Sequence, residues 1–200
     1  MFYYIEGTVT VIEQNLAVVD VGGVGYACNT TLNTLSHLET GKKARLYTYC
    51  NVKEDAFDIY GFYELSEKRC FEMLISVSGV GPKAAVSILS AHAPEALAMA
   101  IINNDDRALT VAQGIGKKTA QRIILELKDK VSKDTAALGG NGGAITSPGT
   151  AAGSKMNDAA SALAVLGYSP GEISAALRSI DADSMTLEEI IREVLKSSLK

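Results

Sequence analysis

Two stretches of this 200-residue chain, SGVGPKAA at 78–85 and QGIGKKTA at 113–120, are variants of one pattern. Each sets a Gly-x-Gly turn before a basic residue and a run of small residues able to open a helix. The likeness extends beyond the turns. Aligning 71–90 with 106–125 pairs Leu74 with Leu109, Gly79 with Gly114, Val80 with Ile115, Gly81 with Gly116 and Lys83 with Lys118. Ala85 then pairs with Ala120, and Ile88 with Ile123. Self-similarity at a fixed spacing means that one supersecondary unit occurs twice.

The flanking residues say which unit. LSEKRCFEMLISVS has helical period, with Cys70, Phe71, Leu74 and Ile75 on one stripe and Ser66 placed to cap it. Pro82 and Pro94 stand where helix starts tolerate proline, Asp105 can cap DRALTVA, and TAQRIILELKDKV is a longer amphipathic helix. Residues 65–134 therefore read as four or five short helices, with each glycine turn joining two of them: a tandem helix–hairpin–helix. Such a hairpin suits anions. Glycine lets the backbone approach a phosphate closely, and the following helix presents free N–H groups and its positive end. Val80 and Ile115 would plug each hairpin into the core. Lys83, Lys117 and Lys118 add charge, and Arg122 lies one turn further on. Two cradles related by a pseudo-twofold can grip both strands of a duplex, which positions a protein without reading sequence.

The charge distribution agrees. The chain carries a net −4, but residues 65–134 hold 10 bases and 8 acids, whereas residues 1–64 hold 4 bases and 8 acids. The basic segment is the one with both turns, which points to a local anionic ligand. SGVGPKAA also fits a dinucleotide fingerprint, but that needs a preceding strand in a parallel sheet, and the preceding residues are helical in period.

The first 64 residues read as five strands: FYYIEGTV, NLAVVDV, VGYACNT, ARLYTYC and FDIYGFY, with Gly22-Gly23 as a hairpin signal. Five short strands suggest a small barrel of the OB type. Residues 135–154 contain six glycines and no charge, and read as a flexible tether with an r.m.s. span of roughly 25 Å. Residues 155–200 return to helix. Gly167 is a stop, Ser169-Pro170 a restart, and Leu163, Leu166, Ile173, Leu177, Ile190, Ile191 and Val194 a three-helix core. The expected fold is thus α+β and multidomain: barrel 1–64, helix–hairpin–helix domain 65–134, linker 135–154, three-helix bundle 155–200.

Several chemistries are disfavoured. Cys28, Cys50 and Cys70 are odd in number and form no Cys-x-x-Cys pair, so they read as buried reduced thiols. His37 and His92 lie far apart, which argues against a histidine metal site or a catalytic triad. No Gly-x-x-x-x-Gly-Lys-Ser/Thr loop occurs, so ATP chemistry would belong to a partner. No apolar run reaches transmembrane length and the N-terminus has no signal-peptide pattern, so the expected location is cytoplasmic, away from membranes.

VKEDAFDIYGF (52–62), LISVSGVGPKAAVSILS (74–90), GIGKKTAQRIILELKDK (114–130) and LGYSPGEI (166–173) together resemble the RuvA family of junction-binding subunits, over essentially the full length. The resemblance implies an OB barrel, two helix–hairpin–helix units, a mobile third domain, and a flat homotetramer, one or two per junction, holding an open four-way DNA junction. It implies a RuvB-like hexameric ATPase docked on an unspecified surface within 155–200. A RuvC-like resolvase is a further candidate partner. The chain itself would have no catalytic residue, metal or cofactor, ATP and magnesium being used by the motor. The phosphate-gripping positions carry over to Gly79, Gly81, Lys83, Gly114, Gly116, Lys117, Lys118 and Arg122. An acidic pin carries over to Glu54 and Asp55, between two predicted strands. No role carries over to Phe57 or Asp58.

Two other readings use the same parts. A base-excision glycosylase also carries this hairpin, but needs a catalytic carboxylate and aromatic walls for a flipped base, and the helical segment offers no obvious pocket of that kind. A single-strand or damaged-DNA binder would stack bases on Tyr3, Tyr4, Tyr47 and Tyr49, although strand alternation makes at least half of them core residues.

Overall fold

The computed structural model describes residues 1–137, 151–178, 180 and 185–197, with the backbone alone for 130–137, 151–154 and 197. Five strands, β1 (Tyr4–Glu13), β2 (Leu16–Val21), β3 (Val24–Asn29), β4 (Lys43–Val52) and β5 (Phe57–Phe62), close into a barrel in the order β1-β2-β3-β5-β4. All pairings are antiparallel except β3 with β5, the parallel pair that closes the ring. A register shift between Val9 and Val11 lets β1 pair with β4 at its start and with β2 along the rest. Gly22 and Gly23 both have positive φ and link Val21 to its partner Val24, the two-residue hairpin expected from their adjacency. Ile5, Ala17, Val19, Cys28, Leu46 and Ile59 fill the barrel.

Alternation along β4 buries Leu46, Thr48 and Cys50. It leaves Tyr47 and Tyr49 half-buried on the other face, while Tyr3 and Tyr4 are exposed. The expectation that at least half of these tyrosines are core is therefore corrected: none is fully buried, and of the four only Tyr49 packs against the helical core, its ring centre 5.3 Å from that of Phe71. Strand parity assigns all the inward places on β4 to smaller side chains.

A five-residue helix, α1 (Leu32–Ser36), lies between β3 and β4 and is too short to show periodicity in the sequence. Thr31 caps it, its hydroxyl accepting from the Thr34 amide at 3.0 Å. The hydroxyls of Thr31 and Thr34 in turn donate to the buried carboxylate of Glu67, at 2.5 and 2.6 Å. Burial pushes the Glu67 carboxyl above its ordinary value, and these donors pull it back. This buried network joins the barrel to the first long helix.

That helix, α2 (Leu65–Ile75), starts after Glu64 with no side-chain cap. Ser66 does not cap it, as the sequence suggested. The amide of Lys68 already bonds to the Glu64 carbonyl, so Ser66 lies inside the first turn, buried, with its hydroxyl donating to Glu64 at 3.3 Å. Then follow α3 (Pro82–Ala91), α4 (Pro94–Ile102), α5 (Asp106–Leu109) and α6 (Lys117–Ala137). Pro82 and Pro94 open their helices, and Asp105 caps α5 by accepting from the Ala108 amide at 3.1 Å.

Three C-terminal helices, α7 (Ala151–Val165), α8 (Pro170–Leu177) and α9 (Leu187–Ser197), follow the expected punctuation. Gly167 takes a left-handed φ after α7, and Ser169 forms a capping box with Glu172 at the start of α8. The expected core residues from Leu163 to Val194 are all buried. Helix α7 packs on α4 and α6, and α9 also meets α4, so one hydrophobic core runs through both helical units. Arg69 on α2 pairs with Glu172 at 3.0 Å and lies 4.6 Å from the Tyr168 ring centre, and Arg192 reaches Glu95 at 3.7 Å. Because α6 continues to Ala137 and α7 begins at Ala151, both ends of the 135–154 segment are helical. The rest of the expected tether, 138–150, lies outside the described residues.

All three cysteines are free and buried, and burial pushes the Cys28 thiol up to about 12. Among the described residues no cluster of three metal-ligating side chains occurs, and no single helix is long and apolar enough to cross a membrane.

Candidate nucleic-acid interface

The two glycine turns are the same object twice. In the first, the Val80 amide donates to Val77 at 3.0 Å and the Ala85 amide to Gly81 at 3.0 Å. In the second, the Ile115 amide donates to Ala112 at 3.1 Å and the Ala120 amide to Gly116 at 3.0 Å. Gly79 and Gly114 have φ of 86° and 83°, left-handed values that favour glycine. Val80 and Ile115 are buried, as the plug reading requires. The repeat in sequence is thus a repeat in backbone hydrogen bonds.

Gly81 and Gly116 differ from their neighbours in a telling way. Neither has a positive φ, and a Cβ built on either would meet no atom of the chain within 4 Å. Neither backbone φ nor crowding inside the fold calls for glycine there. Both are exposed, directly before α3 and α6, where first-turn amides lack helical acceptors. Lys83, Lys117 and Lys118 are exposed on the first turns of these helices. The arrangement is a pair of open surfaces with bare backbone, helix N-termini and lysines, suited to a ligand that brings phosphates close.

Arg122, another of the expected phosphate contacts, also has partners within the fold. Its guanidinium donates to the carbonyl of Ser78 at 3.3 Å and lies 3.8 Å from Glu126, one turn along α6. Glu126 itself accepts from the Ser78 amide at 3.1 Å. The side chains of α6, which leaves the second hairpin, therefore hold the first. Sequence reading missed Glu126, whose only signal was its spacing of four from Arg122.

The acidic pair stands elsewhere, on the barrel. Glu54 and Asp55 are exposed in the turn between β4 and β5, which is closed by the Lys53 amide donating to Ala56 at 2.8 Å. Asp58 accepts from Asn51 across the hairpin at 3.4 Å. Phe57 is 54% exposed and packs edge-on against Phe2, with ring centres 6.2 Å apart. Val52 at the same hairpin is 71% exposed. The tip is thus an acidic point on an apolar base.

Three family models cover most of the chain: the RuvA N terminal domain over residues 1–61, a SAM-like helix-hairpin-helix tandem over 71–129, and the RuvA C-terminal domain over 154–199. A protein of Acetivibrio thermocellus named "Holliday junction branch migration complex subunit RuvA" is 47% identical over 200 residues, covering 98% of each chain. The protein of that name from Ruminiclostridium cellulolyticum is 41% identical over 203 residues, covering 98% of this chain and all of its own. The Streptomyces coelicolor protein is 45% identical over 137 residues, 68% of each. With hairpins, barrel and C-terminal helices all matched along the chain, the protein belongs to the RuvA family.

Proposed function

We propose that this chain binds four-way DNA junctions without sequence preference, holds them open, and recruits an ATP-driven RuvB-like motor for branch migration in recombination and repair. It is an accessory subunit without catalytic residues, metal or cofactor of its own, and works in the cytoplasm. The barrel (1–64) carries the pin, the hairpin domain (65–134) carries the phosphate grip, and the bundle (155–200) on its linker (135–154) recruits the motor. The observation that carries the grip is the pair Gly81 and Gly116, glycines that neither φ nor crowding in the fold requires and whose bare backbone suits an approaching phosphate. Lys83, Lys117 and Lys118 supply the counter-charge. These contacts position the duplex arms and leave sequence unread.

Gly81→Ala and Gly116→Ala test this directly. At an ordinary φ in open space the added methyl should change stability by less than about 1 kcal/mol, since the gain in chain stiffness offsets a poorer helix cap. Affinity for a four-way junction, which should exceed that for duplex or single strands of the same length, should fall clearly. Titration at fixed salt beside a thermal melt reads both. Junction binding as tight as wild type in both variants would remove the backbone-approach argument.

The pin completes the reading. In a homotetramer, one or two per junction, the four tips meet near the centre, and the exposed apolar residues Phe2, Val52 and Phe57 at their bases support such packing. Eight carboxylates would then stand where strands cross. Phosphates are repelled there, so diverging strands are accepted and a continuous duplex is not. Replacing Glu54 with Gln and Asp55 with Asn should lower the ratio of junction to duplex affinity by up to about fivefold, the scale of exposed charge interactions. Fold and assembly should persist because the tip is exposed. An unaltered ratio at fixed salt would leave shape selection to ring geometry alone.

A further inference from the structure

The bond from Arg122 to the first hairpin has a counterpart. The repeat offset that pairs Gly79 with Gly114 also pairs Ser78 with Gln113 and Ser87 with Arg122. Arg122 donates to the Ser78 carbonyl, and the Ser87 hydroxyl donates to the Gln113 carbonyl at 2.9 Å. At equivalent positions, each helix that leaves a hairpin reaches across to the carbonyl just before the first glycine of the other hairpin. Glu126 adds a second hold on the first hairpin by taking the Ser78 amide.

We propose that Ser87, Arg122 and Glu126 are positioning residues that form a reciprocal brace, fixing the spacing and orientation of the two phosphate cradles. The inference rests on the phosphate-grip reading above. Its physical basis is the separation of the contacts. The two turns are exposed, and each has a left-handed glycine next to the braced carbonyl. Val80 and Ile115 anchor the turns to the core, but the residues before them, Ser78, Gly79, Gln113 and Gly114, are exposed and depend on the brace for their orientation. Phosphates on two strands stand at fixed separation, so a pair of cradles binds well only if its own spacing is set before binding. Glu126 makes the case sharpest, because a carboxylate beside an anion site is electrostatically unfavourable. Its value there is as an acceptor that holds the Ser78 amide, and with it the turn.

Charge and positioning are separated by comparing Glu126→Ala with Glu126→Gln. The two variants carry the same charge, but only glutamine keeps an oxygen to accept from Ser78. Glu126→Ala should bind a four-way junction about fivefold more weakly than Glu126→Gln, the factor that about 1 kcal/mol for one side-chain hydrogen bond converts to. The slope of log K against log salt should be equal in the two, because no phosphate contact is removed. Ser87→Ala, which alters no charge and favours helix, should also lose about fivefold at unaltered slope and melting temperature. Hydrogen exchange should accelerate at the Ser78 amide in Glu126→Ala and at the Ile115 amide, within the turn that Ser87 holds, in Ser87→Ala. Equal affinity of the two Glu126 variants together with wild-type affinity of Ser87→Ala would overturn the brace. A reference arm with Lys117→Ala and Lys118→Ala distinguishes this from failure of the underlying reading. If that arm lowers the salt slope while the brace variants bind normally, only the brace is wrong. If its slope is unaltered, the phosphate grip is wrong and the brace falls with it.

Discussion

A chain carrying Lys117→Ala and Lys118→Ala is expected to lose DNA affinity of every shape, with a flatter salt dependence. Both lysines are exposed on the first turn of α6, beside the bare backbone of Gly116. Each phosphate contact contributes about 0.9 to the slope of log K against log salt, so losing the pair should lower the slope by about 1.8. Referred to 1 M salt, the same counterion release amounts to about 30-fold in affinity at 0.15 M for each pair engaged. In the proposed ring of four copies the effect would be multiplied. Stability should hardly move, because neither side chain is packed. The measurement is a salt titration of junction and duplex binding with both proteins. A slope equal to wild type would place these lysines off the DNA, and with them the second hairpin.

The second large effect concerns the C-terminal bundle. A chain ending near Thr150 should still bind junctions yet fail to stimulate the ATPase of a RuvB-like motor, because the helices proposed to recruit it are gone. The packing adds a consequence that a freely hanging bundle would not have. In the full chain α7 covers faces of α4 and α6, Arg69 pairs with Glu172, and Arg192 pairs with Glu95. Truncation bares those apolar faces and strands both Arg69 and Glu95, so the short chain should melt earlier and be more prone to associate. Junction binding, motor ATPase and the mass of the assembly should be measured on the same preparation. Normal motor stimulation by the truncated chain would show that the bundle is not the coupling element.

The pin and the brace depend on features of very different visibility. Glu54 and Asp55 were legible because a charge pair between two strand patterns must sit on a turn, and the resemblance supplied a reason for it. Ser87 and Glu126 carried almost no signal. A serine inside an apolar helix and a glutamate four residues after an arginine are ordinary, and their partners lie 26 and 48 residues away along the chain. Arg122 shows the limit from the other side. Its type and place suggested a phosphate contact, and gave no sign that its guanidinium also holds the neighbouring hairpin.

The sequence by itself determined whatever depends on local conformation and period. The positive φ of Gly79 and Gly114 follows from turns that favour glycine, Pro82 and Pro94 open helices because proline lacks an N–H, and Val80 and Ile115 are buried because the repeat places an apolar residue between glycines. The five strands and the C-terminal core were likewise readable from alternation and helical spacing. Only the tertiary structure decided matters of long-range pairing. It buried Leu46, Thr48 and Cys50 and left Tyr47 and Tyr49 half-buried on the opposite face, since the parity of a strand is set by its neighbours. It hid Glu67 beneath Thr31 and Thr34, seated α7 on α4, and crossed the two hairpins through Arg122 and Ser87. Such contacts join residues far apart in the chain, and their free energy depends on geometry that no local window of sequence contains.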